Sequence, residues 1–142
     1  MESTTRTSLK IKGFTAGAMD LLHPGHLIML KECRMQCDYL VVGLHTDPTL
    51  DRPWKTKPVE TVEERMIRLQ GCKYVDKILT YDTELDLVNL LKELRPDIRF
   101  LGEDWKGKHF TGDDLSIKII YNSRDHDFSS TNLRERIRNA KH

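Results

Sequence analysis

The chain has 142 residues, 38% hydrophobic and 32% charged, and its 23 basic against 22 acidic residues leave a formal net charge of +1. That length suits one domain with a small core, and the near-zero charge provides no overall field to draw in nucleic acid or a membrane surface. The apolar runs fall well short of the ~18–20 residues of a membrane span, the start Met1-Glu-Ser-Thr-Thr-Arg6 lacks a signal-peptide core, and Cys33, Cys37 and Cys72 are an odd count without zinc or disulfide spacing. The expectation is a cytoplasmic protein whose Cys33 and Cys37 are half-buried helix thiols.

Leu9-Lys-Ile-Lys-Gly-Phe-Thr15 alternates apolar and polar residues and predicts a first strand. Pro24 can open a helix running to about Gln36, with Leu27, Ile28, Leu30 and Met35 as its buried face. Asp38-Tyr-Leu-Val-Val-Gly-Leu-His45 reads as a buried second strand, followed by a polar loop containing Pro48, Pro53 and Pro58. Thr61-Val-Glu-Glu64 has the spacing of a capping box and starts a second helix towards Gly71. Val75–Thr80 predicts a third strand, and Leu85–Leu94 a third helix stopped by Arg95-Pro96. Ile98–Leu101 and Ser116–Tyr121 are strands four and five, and Ser129–Asn139 is a closing helix with a basic last turn. Strands alternating with helices throughout predict a single α/β, Rossmann-like domain over residues 1–142: an open parallel five-stranded sheet with helices on both faces. Ligands of such sheets bind beyond the carboxyl ends of the strands.

The unusual residues collect at those ends. His23-Pro-Gly-His26 sits where the first strand hands over to the first helix. A helix N-terminus offers unpaired N–H groups to a phosphate, and imidazoles there can donate to charge developing on a phosphoryl group. The same residues also read as a helix start with two surface histidines, or as half of a metal site whose other ligands, His45 and His109, are remote in sequence. Downstream, Arg124 precedes Phe128-Ser-Ser-Thr131 at the start of the last helix. Three hydroxyls at such a start are usually only helix caps, and beside an arginine they also fit a polyphosphate cradle.

Together, His23-Pro-Gly-His26 and Phe-Ser-Ser-Thr-x-Leu-Arg134 resemble the cytidylyltransferase-like branch of the nucleotidyltransferase superfamily, over about Lys10 to Ile137. Gly102-Glu-Asp-Trp-Lys-Gly-Lys108, Glu64-Arg65 and Tyr74-Val-Asp76 are similar to segments of its glycerol-3-phosphate cytidylyltransferases. The resemblance implies transfer of CMP from CTP to a small phosphorylated alcohol, glycerol 3-phosphate first, with release of pyrophosphate and no covalent intermediate. It implies that His23 and His26 stabilise the transition state, that Lys55 and Lys57 of a mobile loop bridge the two substrates' phosphates, and that Arg124, Ser129, Ser130 and Thr131 hold the β- and γ-phosphates. Gly17, Ala18, Met19, Asp20, Gly102 and Asp104 complete the nucleotide site, with Gly17 and Met19 as its floor, and Lys55, Arg65 and Trp105 face the acceptor. Magnesium is expected on the triphosphate rather than on a protein site, and the small members of the family imply a homodimer.

Ala18 stands where the glycerol-phosphate type has a hydroxyl and Met19 where it has an aromatic ring. Arg124-Asp-His-Asp127 carries extra acids, and Asp82, Glu84 and Asp86 fall where that type places a lysine for its acceptor. These acids predict an acceptor rich in hydroxyl or amino groups and a penalty on a second negative charge. Base choice rests on loop backbone, so an ATP-dependent adenylyltransferase acting on a sugar phosphate or another ester is the alternative within this chemistry. A non-catalytic nucleotide sensor is the alternative outside it.

Overall fold

The computed structural model describes residues 10–123 and 128–140. Five strands, β1 (Lys12–Gly17), β2 (Tyr39–His45), β3 (Lys77–Tyr81), β4 (Ile98–Gly102) and β5 (Lys118–Asn122), form one parallel sheet in the order β3-β2-β1-β4-β5. Four α-helices, α1 (Pro24–Arg34), α2 (Val62–Gln70), α3 (Glu84–Leu94) and α4 (Ser130–Arg138), connect or follow them. The sequence-predicted elements are all present, with no end moved by more than three residues. β1 moves furthest: the alternation starting at Leu9 continues past Thr15, because Ala16 and Gly17 still pair with Gly43 and Leu44.

Register is set at the amino ends of the strands. Asp38, Asp76 and Asp97 stand just before β2, β3 and β4, and their carboxylates accept from the amides of Ile11, Leu40 and Lys12, each at 2.8 Å. Each aspartate also donates its own N–H to the backbone carbonyl of that same residue. One slipped residue would break both bonds and turn the strand's side chains over. The carboxyl ends, where the site lies, are thereby held in a fixed stagger.

The sheet separates two apolar layers. On one side Leu40, Val42, Leu44, Ile98 and Phe100 pack with Leu30 and Cys33 of α1 and Leu69 of α2. On the other, Phe14, Val41 and Tyr81 pack with Leu87 and Leu91 of α3. Gly13 is required at its place in β1, since a Cβ there would come within 2.8 Å of both Phe100 and Cys37. No helix among the described residues is long and apolar enough to cross a membrane.

Two expectations on α1 need correction. Leu27, Ile28 and Met35 do not form its buried face: they are exposed, Met35 by 77%, and Leu30 and Cys33 are the buried pair. The helix contacts the sheet over a narrow stripe, so the apolar residues adjoining it in sequence look outwards. Cys33 and Cys37 are fully buried rather than half-buried, and Cys37 lies beyond the helix end. Burial pushes the Cys33 thiol up to about 12, which makes it inert towards oxidants and metals.

Candidate active site

The chain runs outwards through β2 and β3, then returns to place β4 on the other side of β1. The crevice therefore opens at the carboxyl ends of β1 and β4. Two cavities flank it, of about 350 Å³ and 400 Å³, and share Ala16 of β1, Leu101 of β4 and Trp105 as a common wall.

The first cavity is lined by His23 and His26, by Gly102, Asn122 and Ser129, and by the apolar Met29, Phe100 and Phe128. The two histidines form a capping box. His23 Nδ1 accepts from Gly25 N at 3.0 Å, and His26 Nδ1 accepts from His23 N at 3.2 Å. A ring nitrogen that accepts from an amide carries no proton, so both neutral imidazoles hold theirs on Nε2. The rings stack with centroids 3.9 Å apart. Helix capping thus fixes tautomer and ring orientation together, with both rings on the cavity wall beside the positive end of α1. The reading of this motif as a helix start holds, since both histidines cap α1.

The turn into that helix is strained. Met19, Leu21 and Leu22 have φ of 52°, 62° and 21°, in the left-handed region that non-glycine residues avoid. Its neighbours hold it there. Leu21 N donates to Glu60 Oε1 at 2.9 Å, and Asp20 accepts from Val59 N at 2.8 Å and Glu60 N at 3.0 Å and pairs with Arg134 of α4. Arg65 closes the network, donating to the carbonyls of Ala18 (3.0 Å), His45 (2.6 Å), Thr46 (2.6 Å) and Glu60 (3.2 Å). Strain held in place by so many bonds is typical of a functional site. Burial alone would raise the Asp20 carboxyl, but the Glu60 and Val59 amides and Arg134 outweigh it and hold it below its ordinary 3.8. A lowered folded-state value means that Asp20 stabilises the fold fully above about pH 4 and loses that contribution as pH falls through the folded value. Asp20→Asn should accordingly lower stability at neutral pH and flatten the acid limb of an unfolding-against-pH curve; an unchanged limb would show that the network is energetically idle.

The second cavity is lined by Gly17 and Ala18, by Lys55 and Arg52 of the loop after β2, by His45, Tyr81, Glu84, Arg99 and Thr111, and by Thr131 and Arg134 of α4. Burial lowers the pKa of His45 more than neighbouring Glu84 raises it. Its Nε2, 3.2 Å from the Asp82 carbonyl, is therefore the donor of a neutral ring.

Several predicted site residues are brought together here and others are not. His23, His26, Gly102 and Ser129 meet on the first cavity; Gly17, Ala18, Lys55 and Thr131 meet on the second, and Trp105 touches both. Met19, expected on the nucleotide floor, is 4% exposed and belongs to the core beneath it. Arg65 is not presented to an acceptor phosphate: it is 2% exposed, and its nitrogens are committed to carbonyls. Asp20 acts on backbone and Arg134 rather than lining either cavity, and Asp104 is exposed outside both. Lys57 is exposed and 3.9 Å from Asp47. Ser130 opens α4, and Arg124, with Asp125–Asp127, lies outside the described residues. Of the three acids expected to face the acceptor, only Glu84 reaches the cavity: Asp82 accepts from Thr46 Oγ1 at 2.6 Å, and Asp86 caps α3 through the Thr83 amide. Among the described residues no three His, Cys, Asp or Glu side chains converge on a metal position. Arg52, Arg99, Tyr81 and Asn122 escape notice in the sequence; the one signal available is Arg99, a charge inside the otherwise apolar strand Ile98-Arg-Phe-Leu101.

The five-stranded parallel α/β fold agrees with the comparisons. Residues 14–136 match the cytidylyltransferase-like family, and the chain belongs to it. It is 33% identical to the bifunctional protein HldE of Campylobacter concisus over 129 residues, covering 90% of this chain and 27% of that protein. With HldE of Caulobacter vibrioides it shares 33% identity over 138 residues, covering 94% and 28%. The chain thus spans about a quarter of the length of these relatives. Among solved structures, a lipopolysaccharide core biosynthesis protein from Thermoplasma volcanium superposes with a TM-score of 0.67 at 28% identity, covering 83% of this chain and 99% of that one.

Proposed function

We propose that this chain transfers the nucleoside monophosphate of ATP to a sugar phosphate, releasing pyrophosphate. The observation that carries nucleotidyl transfer is the pair of capped, Nε2-protonated histidines on one cavity, with Lys55 on the adjoining one. The acceptor's phosphate oxygen forms a bond to the α-phosphorus as the bond to the bridging oxygen of the departing pyrophosphate breaks. Nothing becomes covalently attached to the protein, so its work is alignment and stabilisation of charge. His23 and His26 donate to the phosphoryl oxygens, Ser129 and Thr131 at the start of α4 receive the leaving group, Arg124 keeps the β- and γ-phosphate role that the resemblance implies, and Lys55 draws the acceptor phosphate in line. Magnesium would be held by the nucleotide triphosphate and would supply charge neutralisation there.

The choice of ATP and a sugar over CTP and glycerol 3-phosphate rests on the company the chain keeps. Its relatives are HldE proteins and a lipopolysaccharide core protein, and such a core is made of sugars. The first cavity offers a nucleobase an apolar and aromatic wall in Met29, Phe100, Phe128 and Trp105. The second, with Glu84, Arg52, Thr111 and Tyr81, offers the mixed donors and acceptors that a polyhydroxylated acceptor needs. Homodimerisation belongs to the same proposal. Pyrophosphate release measured with each of the four ribonucleoside triphosphates, against a panel of sugar and polyol phosphates, tests the reading: acceptor-dependent release is expected with ATP. Release confined to CTP with glycerol 3-phosphate would restore the cytidylyl reading.

The lysines separate in the same assay. Lys55→Ala should lower kcat/KM by about tenfold or more, the scale of one charge-assisted phosphate contact. Lys57→Ala should change it far less, because Lys57 is off the cavity and its pair with Asp47 is exposed. Equal losses would show that both lysines join the clamp when the loop closes.

A further inference from the structure

Arg99 is a buried cation that the transfer reaction does not use. It is 4% exposed and lines the acceptor-side cavity from the second position of β4, three residues before that strand's carboxyl end. Its Nη1 donates to the Thr111 carbonyl at 2.5 Å and its guanidinium lies 5.2 Å from the centre of the Phe110 ring. Among the described residues it makes no other hydrogen bond, and no carboxylate oxygen comes within 4 Å of its nitrogens. Glu84, the acid of this wall, is already engaged: its Oε1 accepts from Arg52 Nη2 at 3.1 Å and from Thr111 Oγ1 at 2.6 Å. A guanidinium taken out of water calls for a counter-charge. Here the acids whose charge acts on it are Glu84, shared with Arg52, and the exposed Asp113, engaged with His109 and the Phe110 amide, and the planar N–H fork that remains matches a carboxylate.

We propose that Arg99 makes its part of this cavity a carboxylate subsite, so that the acceptor is a phosphate ester bearing a carboxylate remote from the reacting phosphate. The proposal reverses the charge preference expected from Asp82, Glu84 and Asp86, two of which the fold turns to backbone and hydroxyl partners. It rests on the reading that this cavity holds the acceptor, and it names a subclass of the sugar or polyol phosphates.

A matched pair differing only at the distal carbon, 3-phosphoglycerate and glycerol 3-phosphate, tests it by titration calorimetry on the full chain. The parent should bind 3-phosphoglycerate about tenfold more tightly or better, the scale of one charge-assisted pair. Arg99→Gln should bring the ratio to near one while leaving glycerol 3-phosphate affinity within about threefold, and Arg99→Lys should restore part of the preference. A parent that binds the two equally, or favours glycerol 3-phosphate, overturns the subsite, as does a ratio that survives Arg99→Gln; in the latter case Arg99 only anchors the Phe110–Thr111 turn. Should Arg99→Gln fail to fold, the parent ratio alone decides. The readout needs no turnover, so absence of transfer with every nucleotide would remove the proposed function and leave this test standing.

Discussion

His26→Ala is expected to lower kcat by at least ~10², the scale of one preorganised donor aimed at transition-state charge, with a much smaller change in nucleotide affinity. The side chain serves twice: its Nδ1 accepts the His23 amide and its ring lines the cavity. The first service is worth about 1 kcal/mol of helix stability, as for other caps. The two can be separated, because glutamine at this position of a capping box also accepts the cap amide. His26→Gln should recover the melting temperature lost in His26→Ala and recover little of the rate. A glutamine variant that restores both would make His26 a structural residue, and equal losses in nucleotide binding and turnover would show that it holds only the ground state.

Arg65→Met should destabilise the fold by roughly 3–5 kcal/mol, the range for removing one partner from a buried charged network. Methionine keeps most of the apolar stem but leaves four carbonyls, of Ala18, His45, Thr46 and Glu60, without their donor. Those carbonyls belong to the strained turn before α1, the end of β2 and the start of α2, so the loss is one of position at the heart of the site. Urea unfolding monitored by circular dichroism gives the number. A variant as stable as the parent but with a raised acceptor KM would return Arg65 to the acceptor phosphate.

The fold was legible because its signals are local. Apolar runs, Pro24, the Thr61–Glu64 box and Arg95-Pro96 each mark an element without reference to anything distant, and alternation of the elements implies a parallel sheet. The two motif-bearing segments were legible for the same reason: both are short stretches at helix starts. What the sequence hid depends on partners far along the chain. Arg65 resembles a substrate-binding arginine until the carbonyl of Ala18, 47 residues earlier, is seen to occupy it. Asp82, Glu84 and Asp86 look like one acidic patch until Thr46, Arg52 and Thr111 divide them. Arg99 is one letter in an apolar strand, and its meaning arises from a cavity assembled by four other segments.

Phosphorus NMR of one reaction mixture tests the central claim most directly. Incubated with ATP, magnesium and an accepted sugar phosphate, the protein should produce the paired doublets of a new diphosphate diester together with an equal amount of pyrophosphate, and the acceptor's monoester signal should decline in step. Formation of the diester from CTP but not from ATP would contradict the assignment of the nucleotide. ATP broken down to orthophosphate with the monoester signal intact would contradict nucleotidyl transfer itself.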